Sequence, residues 1–386
     1  MKPNARIDRL FAQTKPVCFG RFLIEVPITT EVVWGPTHAG WEISSYPGEG
    51  SKIAAETKDK EDALKEEKHI REPSTYIGTF DGPNPQSKIV VGYKDFESSG
   101  LVQLHSYIRL GRDAFVQSAS IAALEELPDG KTDKSSYMKH VGELRDIARR
   151  LRVRDEREIP IEPGLCIEAG FLSDGIPDVE LTSIGFRFPE YPDVSFSIQT
   201  IKTDRPDYSN SLEWSLKKGE EYAGLAGQAM RYVRGKVFRK GERTIGDWSG
   251  AEQLGRMPSE GEAPSVHDFL FKSIGVAKDA MRPIVSIELN TGVDGNTSGA
   301  STPSLKDEDA IALWDRLTAT IRARPVQGGG TPAEATPVTN SVLGVSEAEP
   351  TTIGAHQSDA TAITKRLPAN PAVTSRSTNS LSRNSG

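Results

Sequence analysis

Residues 100–121, GLVQLHSYIRLGRDAFVQSASI, alternate apolar and polar side chains on both sides of Gly111, Arg112 and Asp113. A period of two puts one set of side chains on each face of an extended chain, and a short polar break with glycine turns it back. The stretch therefore predicts an antiparallel hairpin. The same pattern recurs further along, in VELTSIGFRFP (179–189) and VSFSIQTIK (194–202), and then in TIGDWSGAEQLGRM (244–257), HDFLFKSIG (267–275) and RPIVSIELNTG (282–292), with Gly and Pro between the runs. A chain of short strands punctuated in this way predicts sheets that are mostly antiparallel.

Helices interrupt the strands. From Ser135 to Leu151, Tyr137, Val141, Leu144, Ala148 and Leu151 recur at helical spacing, so one face is core. SLEWSLKKGEEY (211–222) reads as a short helix before Gly224, and the mixed charges of 58–71 read as a solvated helix face. The last helix carries the stripe Ala310, Leu313, Trp314, Leu317 and Ile321, with Ser304 at the expected N-cap, Asp307 three residues on, and Pro325 as a stop. At this spacing the stripe faces a sheet rather than a partner.

Two stretches open alike, with a short apolar strand containing a cysteine: VCFGRFLIEVP from Val17 and GLCIEAGFL from Gly164. This similarity, and the charged, proline-interrupted join RDEREIPIEPG (154–164), predict an α+β chain of two related domains, 16–156 and 157–326, each a mostly antiparallel sheet packed by helices. Residues 1–15 are expected to be a flexible start. Residues 327–386 contain no Phe, Trp or Tyr, and this composition predicts a disordered tail.

The composition, 36% hydrophobic and 26% charged, supplies enough apolar material for real cores. A net charge of −7 with no basic block makes nucleic acid an unexpected partner. No run approaches the ~18 apolar residues of a membrane span. The start also has no apolar core of signal-peptide kind, so the residues alone give no reason to expect the general export route. Cys18 and Cys166 lie too far apart for a zinc ribbon or a CxxC site. Either they form a disulfide or they are two buried thiols.

Catalytic motifs are not found. The histidines, His38, His69, His105, His140, His267 and His356, are dispersed without ligand spacing, so neither a metal nor a cofactor is expected. GDWSG (246–250) places Ser249 one position too late for a nucleophile elbow and leads into strand-like residues, which makes a glycine-bounded bend the simpler reading. DGKT (129–132) lacks the upstream glycine of a phosphate loop, and Glu125 with Glu126 face no apolar pocket that would split their pKa values. Together these observations favour a binding protein without enzymatic activity.

CFGRFLIEVP (18–27), GLCIEAGFL (164–172), GERTIGDWSGAEQL (241–254), RPIVSIELNTG (282–292) and SLKDEDAIALWDRL (304–317) resemble the immunity proteins of type VI secretion phospholipase effectors, the Tle cognate immunity family. The resemblance spans about residues 16–325, over both the amino-terminal and the carboxy-terminal immunity domain. It implies a protein that binds its cognate lipase effector and blocks access to that enzyme's active site, acting in the periplasm; the cytoplasm is the alternative compartment. It supplies no catalytic residues. Candidate contacts are the loops around Glu260 and Glu262 and around Asp294. The competing readings are a hydrolase using Ser249 and a lipid-binding envelope module.

Overall fold

The computed structural model describes residues 4–98, 100–122, 136–175, 179–227, 229–259, 265–292 and 303–327. In chain order the elements are α1 (Ala5–Leu10), β1 (Thr14–Phe19), β2 (Phe22–Pro27), β3 (Glu31–Ala39), β4 (Trp41–Tyr46), α2 (Ile53–Glu66), β5 (Tyr76–Asp81), β6 (Lys88–Tyr93), β7 (Leu101–Leu110), β8 (Asp113–Ala122), α3 (Ser136–Arg150) and β9 (Leu151–Val153). They continue with β10 (Gly164–Ile167), β11 (Gly170–Ser173), β12 (Glu180–Phe188), β13 (Tyr191–Lys202), α4 (Leu212–Leu225), α5 (Ala229–Val233), β14 (Lys236–Ile245), β15 (Trp248–Met257), β16 (Val266–Ser273), β17 (Ile284–Asn290), α6 (Asp307–Thr318) and β18 (Arg322–Ala323). The expected α+β class with antiparallel sheets is what these elements build. The expected tail lies outside the described residues except for Gln327.

Compactness groups 4–44 with 150–327 in one unit and 45–149 in the other, so the expected amino-terminal domain, 16–156, contributes residues to both. In the first unit the strand order is β14-β15-β16-β17-β13-β12-β3, and every neighbouring pair is antiparallel. Along β12 and β16 burial alternates strictly, which places Phe186, Phe188, Phe269 and Phe271 on one face. That face, with Phe19, Phe22, Ile24 and Val26 of β1 and β2, packs on the stripe of α6 to form the core. Trp314 is fully buried and meets Phe196 and Phe269 edge-on at 6.0 Å each.

α6 is also tied to the sheet by charge. Buried Glu252 accepts a 3.0 Å hydrogen bond from Trp314 Nε1 and pairs with Arg239 and Arg243, and both arginines reach on to Asp315. A buried carboxylate is tolerable only when paired and hydrogen-bonded in this way. Ser304, the expected N-cap, is not the cap. α6 starts after Lys306, which makes no side-chain capping bond, and the Ser304 N–H instead donates to Asp193, whose carboxylate also takes the Gly292 N–H.

The chain start is stitched into this unit. The stretch expected to be flexible carries α1, which is capped by the Asn4 side chain, buries Ile7, and is tied by Arg6 to Asp309 at 3.1 Å. Arg21 grips buried Glu180 through both carboxylate oxygens at 2.9 Å and reaches Asp174 at 2.8 Å. Burial alone would lower the pKa of Arg21, but these carboxylates more than offset it and hold the guanidinium charged. Cys18 and Cys166 are joined in a disulfide, beside a Gly20–Cys166 backbone bridge. Arg324, next to β18, donates to the carbonyls of Pro160, Glu162 and Gly164.

The second unit has the strand order β8-β7-β6-β5, and the hairpin read from 100–121 is its β7–β8 pair, with Leu110 opposite Asp113. Gly111, at φ +62°, supplies the left-handed residue of the two-residue turn. α2 contributes Ile53 and Leu64 to a core with Val90, Tyr107, Ala114 and Val116. α3 buries Tyr137, Val141, Leu144 and Ala148 of the expected stripe and Ile147 beside them, while Leu151 opens β9.

The disulfide closes a sequence separation of 148 residues. Replacing both cysteines by serine is expected to lower unfolding free energy by about 2–5 kcal/mol, measured by guanidinium titration followed by tryptophan fluorescence. Wild type assayed with a reductant should fall to the same midpoint.

Candidate interaction surface

The sheet of the first unit has its core on the α6 face, so the opposite face holds the alternate residues. On β16 these are Asp268, Leu270 and Lys272, between buried His267, Phe269, Phe271 and Ser273. In register, Asp268 lies opposite Asn290, Leu270 opposite Glu288, and Lys272 opposite Ser286. Glu288 therefore sits diagonally between an acid and a base. Asp268 keeps solvent contact, yet protein crowds it, and this desolvation, with the negative Glu288 nearby, pushes its carboxyl up to about 6. Burial lowers Lys272, against the pull of Glu288.

α4 packs across β15 and β16 on this polar side. Ser211 caps it by accepting the Trp214 N–H at 3.1 Å, and α5 returns alongside, with Tyr232 donating its hydroxyl to Leu216 O at 3.2 Å and Arg231 Nε donating to Pro258 O at 3.0 Å. Leu212 is the buried residue of α4 and Arg231 that of α5. The large apolar residues point out: Tyr222 is 63% exposed, Leu225 85%, Met230 67%, Val233 69% and, at the start of β14, Val237 55%. A domain helix ordinarily turns its apolar stripe inward, so these exposed apolar side chains make α4 and α5 a candidate contact surface. The pattern of 211–222 predicts an ordinary short helix and that of YVRGKVFRKGER (232–243) a strand, which forms as β14 except that its first two residues end α5. The available signal was the run of apolar residues after Gly224 that continued neither pattern.

A concavity of about 600 Å³ opens between α1 and the turn after β2, lined by Arg6, Arg9, Ile28, Glu190 and Tyr191 among others, with Arg6 4.8 Å from the Tyr191 ring centre. A small, partly open cavity beside Arg21 and Glu180 holds about 10 Å³, the size of a water rather than an acyl chain.

Among the expected site residues, Cys18 and Cys166 are brought together, whereas Glu260, Glu262 and Asp294 lie outside the described residues. Ser249 is the second residue of β15, next to a two-residue hairpin turn, Gly246–Asp247, with Gly246 at φ +55°. A Cβ on Gly250 would stand 2.1 Å from Lys272 O, so both glycines of GDWSG are required by the turn and by close strand packing. One relay does have triad-like spacing: Thr291 Oγ1 lies 2.9 Å from His267 Nδ1, and His267 Nε2 lies 3.1 Å from Asp307. Thr291 is buried and also accepts the His267 N–H, so the relay staples β16 to the start of α6. Burial lowers the His267 pKa despite Asp307. Among the described residues no His, Cys, Asp and Glu group is placed to hold a metal, and no helix is long and apolar enough to cross a membrane.

Family models match almost the whole described chain. Residues 15–154 match the Tle cognate immunity protein 4 N-terminal domain, and residues 158–326 match the Tle cognate immunity protein 4 C-terminal domain. The chain belongs to this family. The fold is shared with solved structures: the apo immunity protein TplEi of the type VI secretion system (T6SS) from Pseudomonas aeruginosa, at 23% identity and a TM-score of 0.63, covers 81% of this chain and 98% of its own. A Tle4–Tli4 complex contains a chain at 22% identity and a TM-score of 0.64, with the same coverage of 81% and 98%. TplEi bound to an "L" peptide matches at 21% identity and a TM-score of 0.61, covering 82% and 99%. No curated protein matches the sequence.

The raised Asp268 pKa makes a stabilising contribution that is present below about pH 4 and lost as pH rises through about 6. Asp268→Asn is therefore expected to raise the thermal midpoint above wild type at about pH 7.5, with the gap closing toward about pH 4.5, as read by differential scanning fluorimetry.

Proposed function

We propose that this chain is an immunity protein that binds a cognate type VI secretion lipase effector and inhibits it by covering the approach to its active site, without chemistry of its own. The observation that carries this reading is the pair of family-model matches, which together take in 15–154 and 158–326. The name of the Tle4–Tli4 complex, a chain of which shares this fold, supports an effector as the partner.

Features of the fold support this reading. A tight protein inhibitor buries about 800 Å² per partner and does so with little rearrangement. The first unit supplies a rigid platform, a sheet cross-braced by α6, and an exposed apolar ridge on its other side. A disulfide suits an oxidising compartment, which supports action in the periplasm.

Mixing the purified chain with its cognate effector is expected to give a 1:1 complex by size-exclusion chromatography with light scattering, and stoichiometric loss of phospholipase activity. A stable complex that retains full turnover would reject inhibition, and no complex at micromolar concentrations would reject the partner. Turnover of phospholipid by the purified chain alone would reject the non-enzymatic reading.

A further inference from the structure

We infer that the Cys18–Cys166 disulfide is a one-way redox latch: until it forms, residues 151–173 fray from a unit whose α6 core is already folded, and once formed it is sealed from thiol reductants.

The bond joins two small sheets that otherwise meet along a narrow line. Cys18 lies in the β1–β2 hairpin and Cys166 in the β10–β11 hairpin. The sheets they belong to, β1-β2-β18 and β10-β11-β9, are linked by the backbone bridge Gly20–Cys166, whose two hydrogen bonds, 2.9 and 2.8 Å, both use the backbone of Cys166 itself. The apolar cluster around the sulfurs is equally small. Its buried members are Cys18, Leu23, Cys166 and Phe171, with Ile159 against them, and none of these belongs to the core on α6. On the other face of β9–β11 the row Leu151, Leu172 and Leu165 is buried but also lies outside that core, and Leu165 and Phe22 both line the water-sized cavity.

Further ties are polar: Arg324 donates to the carbonyls of Pro160, Glu162 and Gly164, and Arg21 reaches Asp174. Water replaces bonds of this kind at little net cost when a segment opens. It cannot replace a cross-link between residues 148 apart.

Cys18 is 2% exposed and Cys166 fully buried. A reductant must bring a thiolate onto one of the sulfurs, so reduction of the oxidised chain waits for the segment to open. Closing the latch takes an oxidant of the disulfide class. The Sγ–Sγ bond forms, and the two thiol protons and two electrons pass to a donor disulfide, which departs as two thiols. The fold thereby distinguishes compartments: a chain still carrying thiols offers 151–173 to proteases, whereas an oxidised chain keeps the segment docked. This holds whatever the partner is.

The test compares the oxidised full chain, the same chain refolded with a phosphine reductant, and the double variant Cys18→Ala/Cys166→Ala, by trypsin digestion under native conditions with mass spectrometry. In the docked segment Arg152 is held by Glu158, Glu162 and the Phe171 ring, and Arg154 is buried among backbone carbonyls. In the reduced chain and the variant, initial cleavage after Arg152 and Arg154 is expected to exceed that after Lys272 of β16 and Arg316 of α6 by about 30-fold or more, an excess absent from the oxidised chain. The near-ultraviolet circular dichroism of buried Trp248 and Trp314 should be retained in all three. The folded oxidised chain in millimolar reduced glutathione should keep its bond, read by alkylation of freed thiols, until denaturant is added.

Comparable cleavage at all four sites after reduction, or loss of the tryptophan signal, would show that the bond holds the whole unit and would overturn the latch. Cleavage after Arg152 and Arg154 as slow as in the oxidised chain would show that the segment stays docked without it, with the same consequence. Rapid reduction of the folded chain by glutathione would also overturn it.

Discussion

The antiparallel pairing of β3 with β12 brings residues 31–39 beside residues 180–187 and makes one sheet from segments that the chain keeps about 150 residues apart. Closing so long a loop carries an entropic cost that local propensity cannot offset, so the join needs strong interactions of its own. They are concentrated within a few residues: the paired Arg21–Glu180 bonds, the Gly20–Cys166 backbone bridge and the Cys18–Cys166 disulfide. Residues 322–324 reinforce the same place, because β18 pairs with β2 and Arg324 satisfies three carbonyls between Pro160 and Gly164.

With β1, β2 and β18 held in this way, α6 has a fixed seat. Its Trp314 fills the centre of the aromatic core, and the indole N–H meets a carboxylate, Glu252, that two arginines hold in place. Such a network gives the helix one position on the sheet, since sliding it by a turn would strand a buried charge. The sheet is thereby stiffened from its core side, and its other side is free to carry polar residues and the lightly packed helices α4 and α5.

That division of labour suits a binding protein. Elements that present a surface to a partner are drawn from the less buried parts of a fold, held by a rigid support. The ridge makes few buried contacts with its own unit, and its apolar side chains gain most by leaving water in the company of another molecule. The sheet face beside it, which carries Asp268, Glu288 and Lys272, shows the same tolerance of unfavourable charge on the side away from the core.

Local patterns determined a good deal from the amino-acid sequence by itself: the period-two runs became β7, β8, β12, β13 and β15–β17, and the helical stripes of α3 and α6 face inward as their spacing requires. The motifs that carry the family resemblance were legible for the same reason, since they are short and contiguous. Other features depended on partners distant in the chain. α6 begins after Lys306 rather than at Ser304, whose N–H is held by Asp193, and residues 232–233, expected to open a strand, end α5 instead. Which exposed residues would form a ridge was likewise decided only by tertiary structure. Side-chain periodicity reports which face of an element is apolar, but burial of that face depends on what the folded chain brings against it.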